Sequence, residues 1–131
     1  MKGITLITDR GIKYEEFVPI IKKGLNDLSP IYEEVPKGND DGYLYLGKTP
    51  NSLAIYFSPN DRLCEDDGFE ASELQKIPFE PFATDVNFRL YPILIRLIKI
   101  FLQLFPNLYI LDDQDDYLGP AKEYIDSHEE K

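Results

Sequence analysis

Apolar and polar residues change period several times along this chain, and each change predicts a different element. The opening Gly3-Ile-Thr-Leu-Ile-Thr8 is apolar and β-branched, with the turn signal Asp9-Arg10-Gly11 behind it, so a first strand is predicted. From Tyr14 the apolar positions Phe17, Val18, Ile21, Leu25 and Leu28 recur at helical spacing, with Glu15, Glu16, Lys22 and Lys23 opposite. Pro19 fits only near the start of that helix, where a missing N–H has no internal use, so the helix is placed from about Glu15 to Ser29-Pro30. Ile31 to Val35, Tyr43 to Leu46 and Leu53 to Phe57 are short apolar runs separated by Gly, Pro and Asn clusters, which reads as an antiparallel meander.

Residues 58–85 hold no sustained period but contain Pro59, Gly68, Pro78, Pro81 and many acids, which predicts a loop-rich acidic insertion with a helical turn near 71–75. From Asn87 to Phe105 the chain is apolar almost all round. Arg89, Pro92, Arg96, Lys99 and Gln103 form one narrow stripe, so this helix is expected to be covered on most of its circumference. Leu108 to Leu111 reads as a strand, 112–116 as a turn, Tyr117-Leu118 as a short return, and Ala121 to His128 as a terminal helix. The order predicts one α+β domain over 1–131. It is ferredoxin-like, β-α-β-β-β-α-β, with an antiparallel sheet, two helices packed on one face and a C-terminal helix appended.

The 131 residues include 43% apolar and 13% aromatic side chains, enough for a domain of this size to bury a core without disulfides or metal. Cys64 has no second cysteine to pair with and no secretory leader is visible, so a cytoplasmic location is expected. Charges interrupt the apolar stretch 88–111, which argues against a membrane span. The net charge of −10 argues against a nucleic-acid binder, which must neutralise phosphates. Its distribution is uneven: eight acids against two bases in 61–85, three bases and no acid in 86–111, then eight acids against two bases in 112–131.

The usual signatures of chemistry are missing. A nucleophilic site needs a base beside the nucleophile, and the single histidine, His128, is three residues before Lys131, where it is expected to be solvated. One cysteine and one histidine do not make a zinc site, and no glycine-rich phosphate loop is present. Asp112, Gln114, Asp116 and Glu123 have calcium-loop spacing, but Tyr117 stands where that loop needs glycine, and a solvated acidic turn is the simpler reading. No catalysis, metal or cofactor is therefore expected.

What remains is two acidic blocks beside aromatic residues. Asp61, Glu65, Asp66, Asp67, Glu70 and Glu73 with Phe69, and Asp112, Asp113, Asp115 and Asp116 with Tyr117, are the candidate partner-binding residues. A joint negative field would steer a basic protein, and the aromatics would anchor it. In size, single-domain layout and acid-rich loops the chain resembles the small acidic immunity proteins of bacterial contact-dependent and polymorphic toxin systems. That resemblance implies an inhibitor that covers the basic cleft of a toxin, often a nuclease. The competing readings are a ligand-sensing or regulatory domain that pairs with a second copy and receives an anion at Arg89, Arg96 and Lys99, and a metal or catalytic site at the Asp112–Asp116 turn.

Overall fold

The structure is a computed structural model that describes residues 2–25, 31–36, 41–47, 52–57, 75–112, 114 and 117–129; for 31–36 and 129 it describes the backbone. Strands β1 (Lys2–Thr8), β2 (Ile31–Pro36), β3 (Gly42–Leu46), β4 (Leu53–Phe57), β5 (Phe82–Phe88), β6 (Tyr109–Asp112) and β7 (Tyr117–Pro120) form one sheet. The helices are α1 (Tyr14–Gly24), α2 (Tyr91–Leu104) and α3 (Ala121–Glu129). The sheet order is β2-β3-β4-β5-β1-β6-β7, and the neighbours pair antiparallel.

The expected α+β class with an antiparallel sheet is present. At its centre β1 and β4 run parallel with β5 between them, and β5 and β6 run parallel with β1 between them. The unit β5-α2-β6 is thus split around β1, whereas α1 leads from β1 to the edge strand β2, with β3, β4 and β5 between them.

Several boundaries differ from the sequence expectation. The first helix, placed to Ser29-Pro30, ends at Gly24 and holds Pro19 in its interior. The insertion placed at 58–85 ends earlier, because Phe82–Phe88 is a full central strand; the inner side chains of its second half, Thr84, Val86 and Phe88, are buried, and Asp85 faces out. The long helix begins at Tyr91 instead of Asn87. Leu90 is extended at its cap, and Pro92 occupies the first turn, the position where proline's fixed φ and absent N–H suit a helix start.

The three described helices pack on one face. Ile4, Leu6, Leu44, Ile55, Val86 and Ile110 of the sheet join Phe17 and Ile21 of α1, Leu94 and Ile98 of α2 and Tyr124 of α3 in a single core. Strand periodicity dictates this set, since residues paired across the sheet point to the same side. Gly42 belongs to the same face, where an added Cβ would run into the ring of Tyr14, so a bare backbone lets α1 seat against β3. Phe17, Phe101 and Phe105 stack between α1 and the end of α2, with centroids 5.7 Å apart for Phe17–Phe101 and 5.7 Å for Phe17–Phe105.

The Arg10 guanidinium lies over that aromatic group, 5.4 Å from Phe17 and 5.2 Å from Phe105, and pairs with Glu16 at 3.0 Å. The hydrogen bond from Arg10 holds Glu16 below the usual carboxylate range. A depressed folded pKa stabilises the native state above the unfolded pKa and is lost as pH falls through the folded one. Because both side chains are well exposed, E16Q is expected to cost less than ~0.5 kcal/mol at pH 7. Melting curves should show that gap closing below about pH 3; a gap that widened on acidification would contradict the assignment.

Candidate partner-binding face

The face of the sheet away from the helices divides in two. Around β6 and the end of β1, Ile7 and Leu111 are buried beneath Ile77, with Phe79, Ala83, Tyr109 and Leu118 packed alongside. The chain arriving from 75–81 thus closes that half. The other half carries Tyr43 and Tyr45 from β3, Tyr56 from β4, Asp85 and Asn87 from β5, and Gly3 and Thr5 from β1.

Its geometry follows from the register. Tyr43 pairs with Tyr56 and Tyr56 with Asp85, so the three side chains stand in a row across β3, β4 and β5. The Tyr43 and Tyr56 rings are 4.8 Å apart and the Tyr43 and Tyr45 rings 6.5 Å. Thr5 donates its hydroxyl to the Asp85 carboxylate at 3.1 Å, and Asn87 donates Nδ2–H to the Tyr56 hydroxyl at 3.4 Å. Gly3, Thr5, Tyr56, Asp85, Asn87 and Leu111 surround a shallow depression of about 410 Å³. A Cβ at Gly3 would come within 3.0 Å of the Asn87 amide oxygen, so glycine keeps its floor open. Tyr56 is 40% exposed, which is unusual for a large ring in the middle of a sheet.

The expected partner-binding residues fare differently. Asp61, Glu65, Asp66, Asp67, Phe69, Glu70, Glu73, Asp113, Asp115 and Asp116 lie outside the described residues. The elements that bracket them are placed. Asp112 pairs with Tyr117 at the Lys2 end of β1, which locates the β6–β7 connection there. Phe57 and Phe82 stand toward the Thr8 end.

Asp112 itself requires a correction. Instead of standing on the acidic surface it is 1% exposed, continuing the inward set Leu108, Ile110, Asp112, and its Oδ2 accepts the Tyr124 hydroxyl at 2.6 Å. Its Oδ1 accepts the Gln114 N–H at 3.1 Å and so fixes the start of the hairpin connection. Tyr117 is half-buried: its ring stacks on Tyr124 at 5.3 Å and its hydroxyl donates to the Pro120 carbonyl at 2.7 Å. Burial pushes its phenol pKa up. It braces the hairpin, which leaves it a poor exposed anchor.

His128 is the second correction. It is 9% exposed, with its ring 4.6 Å from Tyr91 and 4.1 Å from Tyr124. Its Nδ1 lies 2.9 Å from the Tyr124 carbonyl oxygen, a contact that fits a proton on Nδ1. The terminal helix packs on α2, with Ala121, Tyr124 and Ile125 in the core.

Among the described residues no group of three or more His, Cys, Asp or Glu side chains converges as a metal site, and no helix is long and apolar enough to cross a membrane. Comparison with protein-family models, with curated proteins and with solved structures gave no match. Function therefore has to be argued from the surface. Tyr43, Tyr45 and Tyr56 were not among the expected partner-binding residues. The available signal was alternation: Leu44, Leu46, Ile55 and Phe57 fill the inner positions, which leaves the tyrosines on the outer side.

Proposed function

We propose that this chain is an inhibitory protein-binding module of the immunity type, which docks on a basic toxin domain through the face of its sheet that carries none of the described helices. The observation that supports this is the row Tyr43, Tyr56 and Asp85 on an open face of a chain carrying ten excess negative charges. Tyrosine presents a large ring with a polar tip at low entropic cost, and such rings anchor protein interfaces. The surrounding negative field accelerates encounter with a cationic surface and disfavours acidic ones. Asp85, held by Thr5, is preset to receive an arginine or lysine from the partner. The acids of 61–73 and 113–116 act in this reading as steering charges.

The experiment pairs the chain with the product of the gene adjacent to its own: growth of a host expressing that product is measured with and without the chain, and affinity on the purified pair. Wild type should restore growth. Y56A should weaken binding by about 2 kcal/mol, roughly thirtyfold, mainly through faster dissociation. Neutralising Asp113, Asp115 and Asp116 to Asn should instead slow association and flatten its salt dependence. Equal protection and equal affinity from Y56A and a D85N variant would remove the face from consideration.

A further inference from the structure

A second concavity, of about 510 Å³, opens on the other side of the molecule, where β1 begins, α2 begins and α3 ends. Four of its lining residues are cationic: Lys2 from β1, Arg89 from the β5–α2 connection, and Arg96 and Lys99 from α2. They come from three places in the chain, and only the fold brings them together. Arg96 is half-buried while Arg89 and Lys99 are exposed, so the charges grade from the wall of the cavity to its rim. The charged groups among its described lining residues are of one sign, and a concavity with low-dielectric walls concentrates such a field on whatever enters.

The rest of the lining is apolar or aromatic. Leu90, Pro92 and Ile95 supply aliphatic surface, and Tyr91 and His128 form a stacked pair with Lys2 Nζ 4.4 Å from the Tyr91 ring centre. The first turn of α2 borders the same space. Leu90 at its cap contributes no side-chain hydrogen bond and the turn contains no acid, so its amide end favours negative charge. Volume, apolar wall and a few polar groups at one end are the attributes of a small-molecule site.

We propose that this cavity binds a small organic anion, a carboxylate or phosphate carried on an apolar or aromatic body. The anionic group meets Arg89, Arg96 and Lys99 at the start of α2, and the body lies along Leu90, Pro92 and Ile95 beside the Tyr91–His128 stack. The site is independent of the tyrosine face, on the far side of the sheet, so either can fail without the other.

The test is an amide NMR titration of the whole chain with 1-naphthyl phosphate, 1-naphthoate and neutral 1-naphthol. Both anions should shift resonances of 89–99 and 128, with naphthol at least tenfold weaker. Tighter binding of the phosphate would assign the natural ligand to phosphate esters, and tighter binding of the naphthoate to carboxylic acids. R89Q/K99Q should weaken either anion at least tenfold while keeping the wild-type amide pattern, and K2Q/R96Q provides the same reading should the first variant not fold. K13Q, remote from the cavity, should bind as wild type. Shifts located elsewhere, no shift at millimolar anion, or naphthol binding as well as the anions would overturn the proposal.

Discussion

Replacing Phe101 with alanine is expected to remove about 3–5 kcal/mol of stability, the range for emptying a fully buried aromatic site. Phe101 is 0% exposed and shares a stack with Phe17 and Phe105, so it joins α1 to both the body and the end of α2. The neighbours are rings, which are poor at collapsing into the vacated space; most of the cavity should therefore remain. For a domain near this size the loss corresponds to a fall in melting temperature of roughly 10–20 °C. F101L, which keeps most of the volume, should cost under about 1.5 kcal/mol. Urea denaturation followed by circular dichroism measures both. A cost below about 1 kcal/mol for F101A would mean that α1 and α2 do not meet through these rings.

Much of this architecture was legible in the pattern of side chains because it rests on period. Residues such as Ile4 and Leu6, or Phe17 and Ile21, announce a sheet face and a helix face before any contact is known. The strand at Phe82–Phe88 was missed although its inner residues, Phe82, Thr84, Val86 and Phe88, alternate. Thr84 and Ala83 give little contrast, and the apolar run that follows invited an earlier helix start. Pro92 held the better signal, since its missing N–H is tolerated only in the first turn of a helix, which places the start just before it.

The candidate site was less legible, for a physical reason. Charge is visible in a sequence, but the side of the sheet it occupies is not. Asp112 counted with its acidic neighbours until the register with Leu111 and Ile110 turned it inward. Tyr56, not singled out in the sequence, is turned outward by the same rule. The cationic cavity was half visible as the stripe Arg89, Arg96 and Lys99; Lys2, 87 positions earlier than Arg89 in the chain, enters only through the pairing of Lys2 with Phe88.

The strongest test of the hairpin that carries Asp113, Asp115 and Asp116 is a double-mutant cycle on Asp112 and Tyr124. A carboxylate with 1% exposure is tolerated only with its oxygens satisfied, and here Tyr124 and the Gln114 amide are donors to it. D112A leaves the Tyr124 hydroxyl without its acceptor and releases the Gln114 N–H, at an expected cost of about 3 kcal/mol. Y124F keeps the ring and its stack with Tyr117 but takes a donor from the carboxylate, costing about 1.5–3 kcal/mol. In the double variant neither group is left facing a missing partner, so the two costs should fall short of additivity by about 1.5–3 kcal/mol. Additive losses would mean that the 2.6 Å contact contributes nothing specific. The functional consequence is directional. With Asp112 gone the connection loses its tether to the sheet, and the acids beyond it should steer a partner less well. Y124F, which leaves the Asp112–Gln114 turn in place, should retain more of the association rate than D112A.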